Sequence, residues 1–415
     1  MTQSSLADPS RLSAFAPDGG DTPVGADDLP APSTGSELTT EWRPLVELDV
    51  DVAPWRALAA RALEPNIFYE SAFALAAAPV LGAAAGAILV WSVAAPRRLV
   101  GLFPLCVERR RYGLSPAVLT GWTHAYAPLG VPLVDRDAAD AVIDAFVDHV
   151  SREPALPKIL LLPLLPLDGP FAVAFRRVLA RRGARLATFG RHARAQLAPG
   201  DARSDYVERA IGARRRKELR RQRRRLADRG PVRLATASSP AAVAAALTDF
   251  FSIETRGWKG WRGTAAAQHP AIRQFIERAV TGLAADGMAR IDRLMRGERA
   301  VAAAIMLHSA DTAWFFKIAY DETVAQSSPG VQLALDVTGA MLADATVARV
   351  DSCATADHPM IDHLWRERLA IGDLMVAIRP GNDAAFALAR RLEHLSRVAI
   401  ATAKRLRDGW RKGRH

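Results

Sequence analysis

The turn Gln326-Ser327-Ser328-Pro329-Gly330 is a segment of this sequence suited to holding an anion. It falls where an apolar strand gives way to a helix, so unpaired backbone N–H groups and the positive end of the helix dipole are offered to a phosphate. Pro329 removes one donor and Gly330 permits close approach, although an ordinary strand-to-helix junction has the same composition. The strand before it carries a lysine among aromatics. Strict alternation sets Trp314, Phe316, Ile318 and Tyr320 on one face and Phe315, Lys317 and Ala319 on the other. A lysine with apolar neighbours needs a partner or a cleft, so Lys317 either meets a phosphate or substrate carboxylate or is held by packing. Trp258, Lys259 and Trp261, ringed by Arg256 and Arg262, form an aromatic and cationic group that can stack on a sugar or adenine and pair with phosphate. The alternative is a pair of tryptophans closing a helix end onto the core.

Other chemistries lack their residues. Cys353, His358 and His363 are the one metal-like cluster, but Cys-x4-His-x4-His fits no usual zinc spacing and has no clear fourth ligand, so no metal is expected. There is no Gly-x-Ser-x-Gly elbow for a serine nucleophile. Cys106 and Cys353 are the only cysteines, too few for a disulfide framework, and a reducing cytoplasm fits best. The net charge of +11 over 415 residues is concentrated: residues 209–225 contribute +9 and residues 404–415 contribute +5, leaving −3 for the remainder. The body of the protein is therefore not basic.

The elements that must position these groups alternate between helix and strand. The stretch Met1 to Glu41 holds seven acids and one arginine with no apolar run, which reads as a disordered acidic tail (residues 1–44) and not a signal peptide. Ala72 to Ala95 is uncharged but rich in Ala and broken by Pro79, Gly82 and Gly86, so a buried helix running into a strand is expected, not a transmembrane segment. A hairpin follows across Ala95-Pro96-Arg97-Arg98. Ser204 to Arg229 reads as one long basic helix whose thin stripe of Val207, Ile211, Leu219 and Leu226 leaves most of its surface solvated or against charge. Beyond it come helices, a three-strand meander, a Gly-entered helix and further strands, an order loosely present in residues 52–190. Two copies of one α/β unit are expected.

In this order the chain resembles the GNAT acyltransferase fold. More closely it resembles the double-GNAT, CelD-like branch of cellulose-biosynthesis acetyltransferases related to the FemAB aminoacyl transferases. The resemblance rests on Arg214-Arg215-Arg216-Lys217-Glu218-Leu219-Arg220-Arg221, Glu254-Thr255-Arg256-Gly257-Trp258-Lys259-Gly260, Lys317 to Glu322, Ser328-Pro329-Gly330 with Leu333, and Val350-Asp351-Ser352 leading to Trp365. It implies tandem GNAT-like α/β domains with central mixed sheets flanked by helices. The ranges are 45–200, a basic linker at 201–231, 232–380 with the acyl-CoA site, and a C-terminal helix with a basic tail at 381–415. The phosphate loop departs from the family's Gln/Arg-x-x-Gly-x-Gly/Ala pattern at Ser327 and Gln332, and Asp362 stands where many members have Lys.

The resemblance further implies direct attack of an amine or hydroxyl on the thioester of acetyl-CoA or another acyl-CoA. Asp351 is the first candidate for the base, Tyr320 for a donor to the thiolate, and His358 for a proton carrier. Lys317, Ser327, Ser328, Gly330 and Gln332 are expected on the cofactor, and Glu254, Trp258, Lys259, Asp321 and Trp365 on the acceptor. Three functions compete. The first is acyl transfer to an exopolysaccharide, cellulose or envelope precursor, and the second is aminoacyl transfer from charged tRNA bound along Arg209 to Arg225. The third is a non-catalytic partner of a polysaccharide synthase, held to an anionic surface by the basic segments and so peripheral to the inner membrane.

Overall fold

Apolar runs bounded by Gly and Pro set the strands, and their pairing builds two sheets of one design. The computed structural model describes residues 37–412 except 83, 114, 115, 201, 202, 380 and 382. Among these the chain forms two compact units: residues 37–71, 81–193 and 370–412, and residues 72–80 and 194–369. They are called the N-terminal and C-terminal units below.

In the N-terminal unit the sheet runs Leu38–Pro44, Gly86–Ser92, Arg98–Glu108, Val118–Gly121, Ile159–Pro166 and the later part of Glu367–Ala377. The expected hairpin is present, Gly86–Ser92 lying antiparallel to Arg98–Glu108. The acidic tail needs correction. Its part up to residue 36 lies outside the described residues, as do residues 413–415 of the basic end, but Leu38–Pro44 is a strand paired antiparallel with Gly86–Ser92. Local charge hid its partners: the Trp91 indole donates to Glu41 at 2.7 Å, and Gly86 makes room for the Trp42 ring, which a Cβ there would meet at 2.2 Å.

In the C-terminal unit the order is Val232–Ala237, Ala289–Arg296, Arg299–Ser309, Thr312–Tyr320, Arg349–Asp351 and the end of Leu186–Leu197. The two sheets share a topology. In each, four strands pair antiparallel, the fifth pairs parallel with the fourth after a helix, and the sixth is antiparallel to the fifth. Each unit's sixth strand comes from the other half of the sequence. The mixed α/β class with a doubled unit is as the sequence led us to expect. Ala72 to Ala95 is the helix Ser71–Leu81 followed by a strand, and no helix of the described residues is long and apolar enough to cross a membrane. Phe73 from that helix meets Phe275 and Phe316 edge-on, with ring centroids 5.3 and 5.8 Å apart.

The single basic helix is in fact two, Tyr206–Ala210 and Ala213–Ala227. Ile211 takes an extended conformation and is buried in the core cluster with Tyr206 and Ala210, and Gly212 restarts the helix as its N-terminal cap. Burial of Ile211 outweighs helical continuity because a helix gains little from one more turn and much from an apolar contact.

The long helix Asp383–Lys412 is fixed to the N-terminal unit by Glu393. This buried carboxylate accepts from Arg111 and the Tyr112 hydroxyl, both at 2.9 Å, and from Arg397 at 2.7 Å, and Arg397 also pairs with Asp373 at 2.6 Å. Burial opposes its ionisation, but the guanidinium groups prevail and hold Glu393 at about 2. A carboxylate depressed in the folded state stabilises above its unfolded pKa and loses that stabilisation as pH falls through the folded value. Glu393→Gln is expected to cost about 2 kcal/mol at pH 7 in urea unfolding. The difference from the unsubstituted protein should shrink as pH falls from about 4.5 towards 2, and a constant difference would show that the charge is irrelevant.

Candidate functional site

The site grows from the strand Thr312–Tyr320, which is paired along its length with Arg299–Ser309 on one side. On the other side its parallel partner Arg349–Asp351 matches only Thr312, Ala313 and Trp314. The two strands then part, and the edge from Phe315 to Tyr320 has no strand beside it among the described residues. Backbone N–H and C=O groups on such an edge remain available to an extended ligand.

A bulge sits at the parting. Ile305 pairs with Lys317 and Met306 with Phe315, so Phe316 is the extra residue. The alternation expected from the sequence therefore slips by one. Phe315 and Ile318, on opposite faces of a regular strand, enter the same core cluster, with Tyr320 packed against it. Phe316 goes to Phe73, and Lys317 to the buried end of the helix Pro240–Arg256. The bulge is what places an amine beside a carboxylate.

That carboxylate is Glu254, 4% exposed. It accepts from the Lys259 ammonium at 2.9 Å and from the Ala266 N–H at 2.9 Å, and the Lys317 nitrogen lies 3.9 Å away. Burial would raise its pKa, yet the two lysine charges hold it below the usual carboxylate range. Lys317 is pushed down to about 8, by burial first and by the Lys259 charge second, with Glu254 opposing. The segment that bears Lys259 closes tightly: a Cβ at Gly260 would lie 1.7 Å from the Thr255 carbonyl oxygen, so only glycine fits. The short helix Trp258–Trp261 is capped from outside, the Trp258 N–H donating to Glu322 at 2.7 Å.

Glu254, Trp258, Lys259, Ile318, Tyr320, Glu322 and Met360 are among the residues lining a cleft of about 40 Å³. Arg262 lies over the Trp258 ring at 5.1 Å, and Trp261 is 84% exposed. The aromatic and cationic group is thus divided: Trp258 lines the cleft, Trp261 stands in solvent, and Lys259 is buried on Glu254. Burial and the nearby Glu322 charge raise the Tyr320 hydroxyl, which stays protonated.

Next to Tyr320 begins the helix Pro329–Ala343. Ser328 takes a left-handed conformation (φ 49°, ψ 52°) uncommon for a residue with a side chain. The Gln332 N–H returns to the Ser328 carbonyl at 3.0 Å, leaving the N–H groups of Gly330 and Val331 at the helix start without intrahelical acceptors. A Cβ at Gly330 would come within 3.1 Å of the Tyr320 ring. Gln332 faces elsewhere, its amide donating to the Leu219 carbonyl at 2.8 Å, and Arg223 makes two 3.0 Å bonds to Asp336. Leu219 and Arg223 thus meet Gln332 and Asp336 in the same chain order, so Ala213–Ala227 lies parallel to Pro329–Ala343. Ser327 is buried in the turn.

The other sequence candidates lie apart from the cleft lining. Asp351 is buried against Arg194 and accepts from the Cys353 N–H at 2.9 Å. His358 Nδ1 accepts from the N–H groups of Met360 and Ile361 at 3.3 and 3.4 Å, and burial pushes it down to about 4, which keeps the ring neutral. Trp365 is wholly buried, donating to Thr338 Oγ1 at 2.9 Å with Phe315 edge-on to its ring. Asp321 caps its own turn by accepting from Thr323. Glu322 and Met360 at the cleft and Arg194 at Asp351 were not singled out, because their contacts join residues far apart in sequence. No group of three or more metal-ligating side chains occurs among the described residues.

Residues 213–358 match the family model of the acetyltransferase (GNAT) domain, from the basic helix to His358. No curated protein sequence matches the chain. Among solved structures, FemX aligns with a TM-score of 0.53 at 9% identity, over 78% of this chain and 95% of that one. The C-terminal domain (DUF2156) of a putative lysylphosphatidylglycerol synthetase from Agrobacterium fabrum aligns with a TM-score of 0.51 at 12% identity, over 82% and 94%. These likenesses are ones of fold. The match to a GNAT acetyltransferase domain is thus confined to residues 213–358, within a mixed α/β fold.

A buried lysine whose pKa is lowered is destabilising while charged, and the cost is relieved as pH rises through the folded value, because the unfolded chain then binds more protons. Unfolding of the protein in urea is expected to become harder between pH 8 and 10 relative to Lys317→Met. The gain should approach about 3 kcal/mol, the equivalent of the shift from 10.5 to about 8. Parallel pH curves for the two proteins would place Lys317 in solvent.

Proposed function

We propose that the C-terminal unit transfers an acyl group from a CoA thioester to an amine or hydroxyl. The parting of Thr312–Tyr320 from Arg349–Asp351 above the helix Pro329–Ala343 carries this reading, since an open strand edge and a helix N-terminus suit an extended amide chain ending in phosphates. The GNAT match over the same residues supports it. Gly330 and Val331 supply N–H donors to the phosphates, and the edge from Phe315 to Tyr320 supplies donors to the thioester arm and its carbonyl oxygen.

The acceptor enters beside Glu254 and Trp258. As its nitrogen or oxygen bonds to the acyl carbon, its proton passes to neutral Lys317, whose value near 8 suits a base at physiological pH. The carbon–sulfur bond breaks, and Tyr320 protonates the departing thiolate. Asp351, committed to Arg194, holds the strand end where the sheet opens. The exposed Trp261 next to Trp258 suits a saccharide ring, consistent with an envelope or exopolysaccharide precursor as acceptor. A second reading, charged tRNA as donor, is favoured by the exposed arginines of Ala213–Ala227 beside the same helix.

Isothermal titration with acetyl-CoA, and desulfo-CoA as control, tests the donor. Binding near micromolar that Gly330→Glu abolishes and Lys317→Met retains is expected. Absence of binding by any acyl-CoA, with salt-sensitive binding of charged tRNA, would select the second reading. Given an acceptor, kcat/KM should rise with pH through about 8, and Glu254→Gln should move that limb lower, because it removes the charge that raises Lys317. Trp261→Ala should raise KM for a saccharide acceptor several-fold with little change in kcat.

A further inference from the structure

The helix Asp383–Lys412 is anchored on one side and bare on the other. Phe386, Ala389 and Glu393 are buried, whereas Leu388, Leu395, Val398, Ile400 and Leu406 are exposed, Leu395 at 61% and Leu406 at 67%. At 3.6 residues per turn, Leu388, Leu395, Ala399, Thr402 and Leu406 fall within about 60° of one line along the helix, opposite the side held by Glu393. Val398 extends this exposed face to about 100°, with Arg391 on it, and Ile400 is exposed farther round the helix. From Lys404 to Lys412 the sequence carries Lys404, Arg405, Arg407, Arg411 and Lys412 against Asp408 alone.

We propose that this helix docks the protein on an anionic lipid surface. A bare apolar face on a basic helix suits the boundary between headgroups and acyl chains, where leucines enter and arginines pair with phosphates. Charge complementarity selects this occupant over a second copy of the chain. Two such helices side by side would oppose like charges, Arg391 on the apolar side among them. The docking face is separate from the GNAT domain match, so it holds whatever the acyl donor proves to be.

The full chain is sedimented with vesicles of phosphatidylcholine alone or mixed with phosphatidylglycerol, at low and high salt. Binding is expected to the mixed vesicles, weakened but not lost at high salt. Leu395→Glu with Leu406→Glu should reduce it at least tenfold at unchanged helical circular dichroism, while Val173→Glu, at an exposed position elsewhere in the N-terminal unit, should leave it intact. Binding that high salt abolishes and the double variant leaves unchanged would instead arise from arginines such as those of Ala213–Ala227, and would overturn the proposal. So would a dimer in light scattering that the double variant dissociates, if the mixed vesicles bind no protein.

Discussion

The C-terminal unit depends on one strand being paired fully on one side and only in part on the other. Thr312–Tyr320 has Arg299–Ser309 along its length, but its parallel partner stops opposite Trp314. A backbone edge inside a folded unit is costly unless something meets its polar groups, so an opening of this kind suits a ligand more than a packing role. The bulge at Phe316 lies within the open stretch. It turns two consecutive side chains away from the regular alternation, one to the aromatic contact with Phe73 and one to Glu254. Without the bulge, strict alternation from Phe315 would turn Lys317 onto the face now occupied by the core cluster, away from Glu254.

Buried charge is handled in three ways here, and the differences separate chemistry from support. Asp351 and Arg194 form a pair removed from solvent, and Glu393 is surrounded by two guanidinium groups and a phenol. Both arrangements give a carboxylate full charge compensation, which fixes geometry but leaves little capacity for proton transfer. Around Glu254 two ammonium groups share one carboxylate, and Lys317, the more distant of them, is the one whose proton is loosened. Two ammonium groups beside one buried carboxylate at a cleft form an arrangement that suits proton transfer.

The doubled unit shows how much one pattern can be varied. Both sheets have the same order and the same single parallel pairing, yet the chain supplies each with a sixth strand from its other half. Residue-level likeness between the halves is weak because each position answers to its own neighbours, as Gly86 does to Trp42 and Gly330 to Tyr320. What persists is the succession of apolar periods and turns that defines the sheet.

Local signals were enough for much of this protein. The meander from Ala289 to Tyr320, the helix entered through Pro329 and Gly330, and the helix Pro240–Arg256 are legible from apolar period, Gly and Pro, since these depend on each segment's own residues. The residues that meet at the candidate cleft were in part legible too, through the lysine in an aromatic strand and the Trp-Lys-Gly-Trp turn. The tertiary structure decided which candidates meet. Strand Leu38–Pro44 exists because of Gly86–Ser92, the basic helix breaks because Ile211 is drawn into the core, and Trp365 is claimed by Thr338 and Phe315. Asp351 was legible as a strand-end carboxylate, but its partner Arg194 lies 157 positions earlier in the chain. Periodicity describes a segment against a uniform surrounding, whereas a bulge, an ion pair or a shared cleft is set by contacts between distant segments, and only the folded chain specifies those.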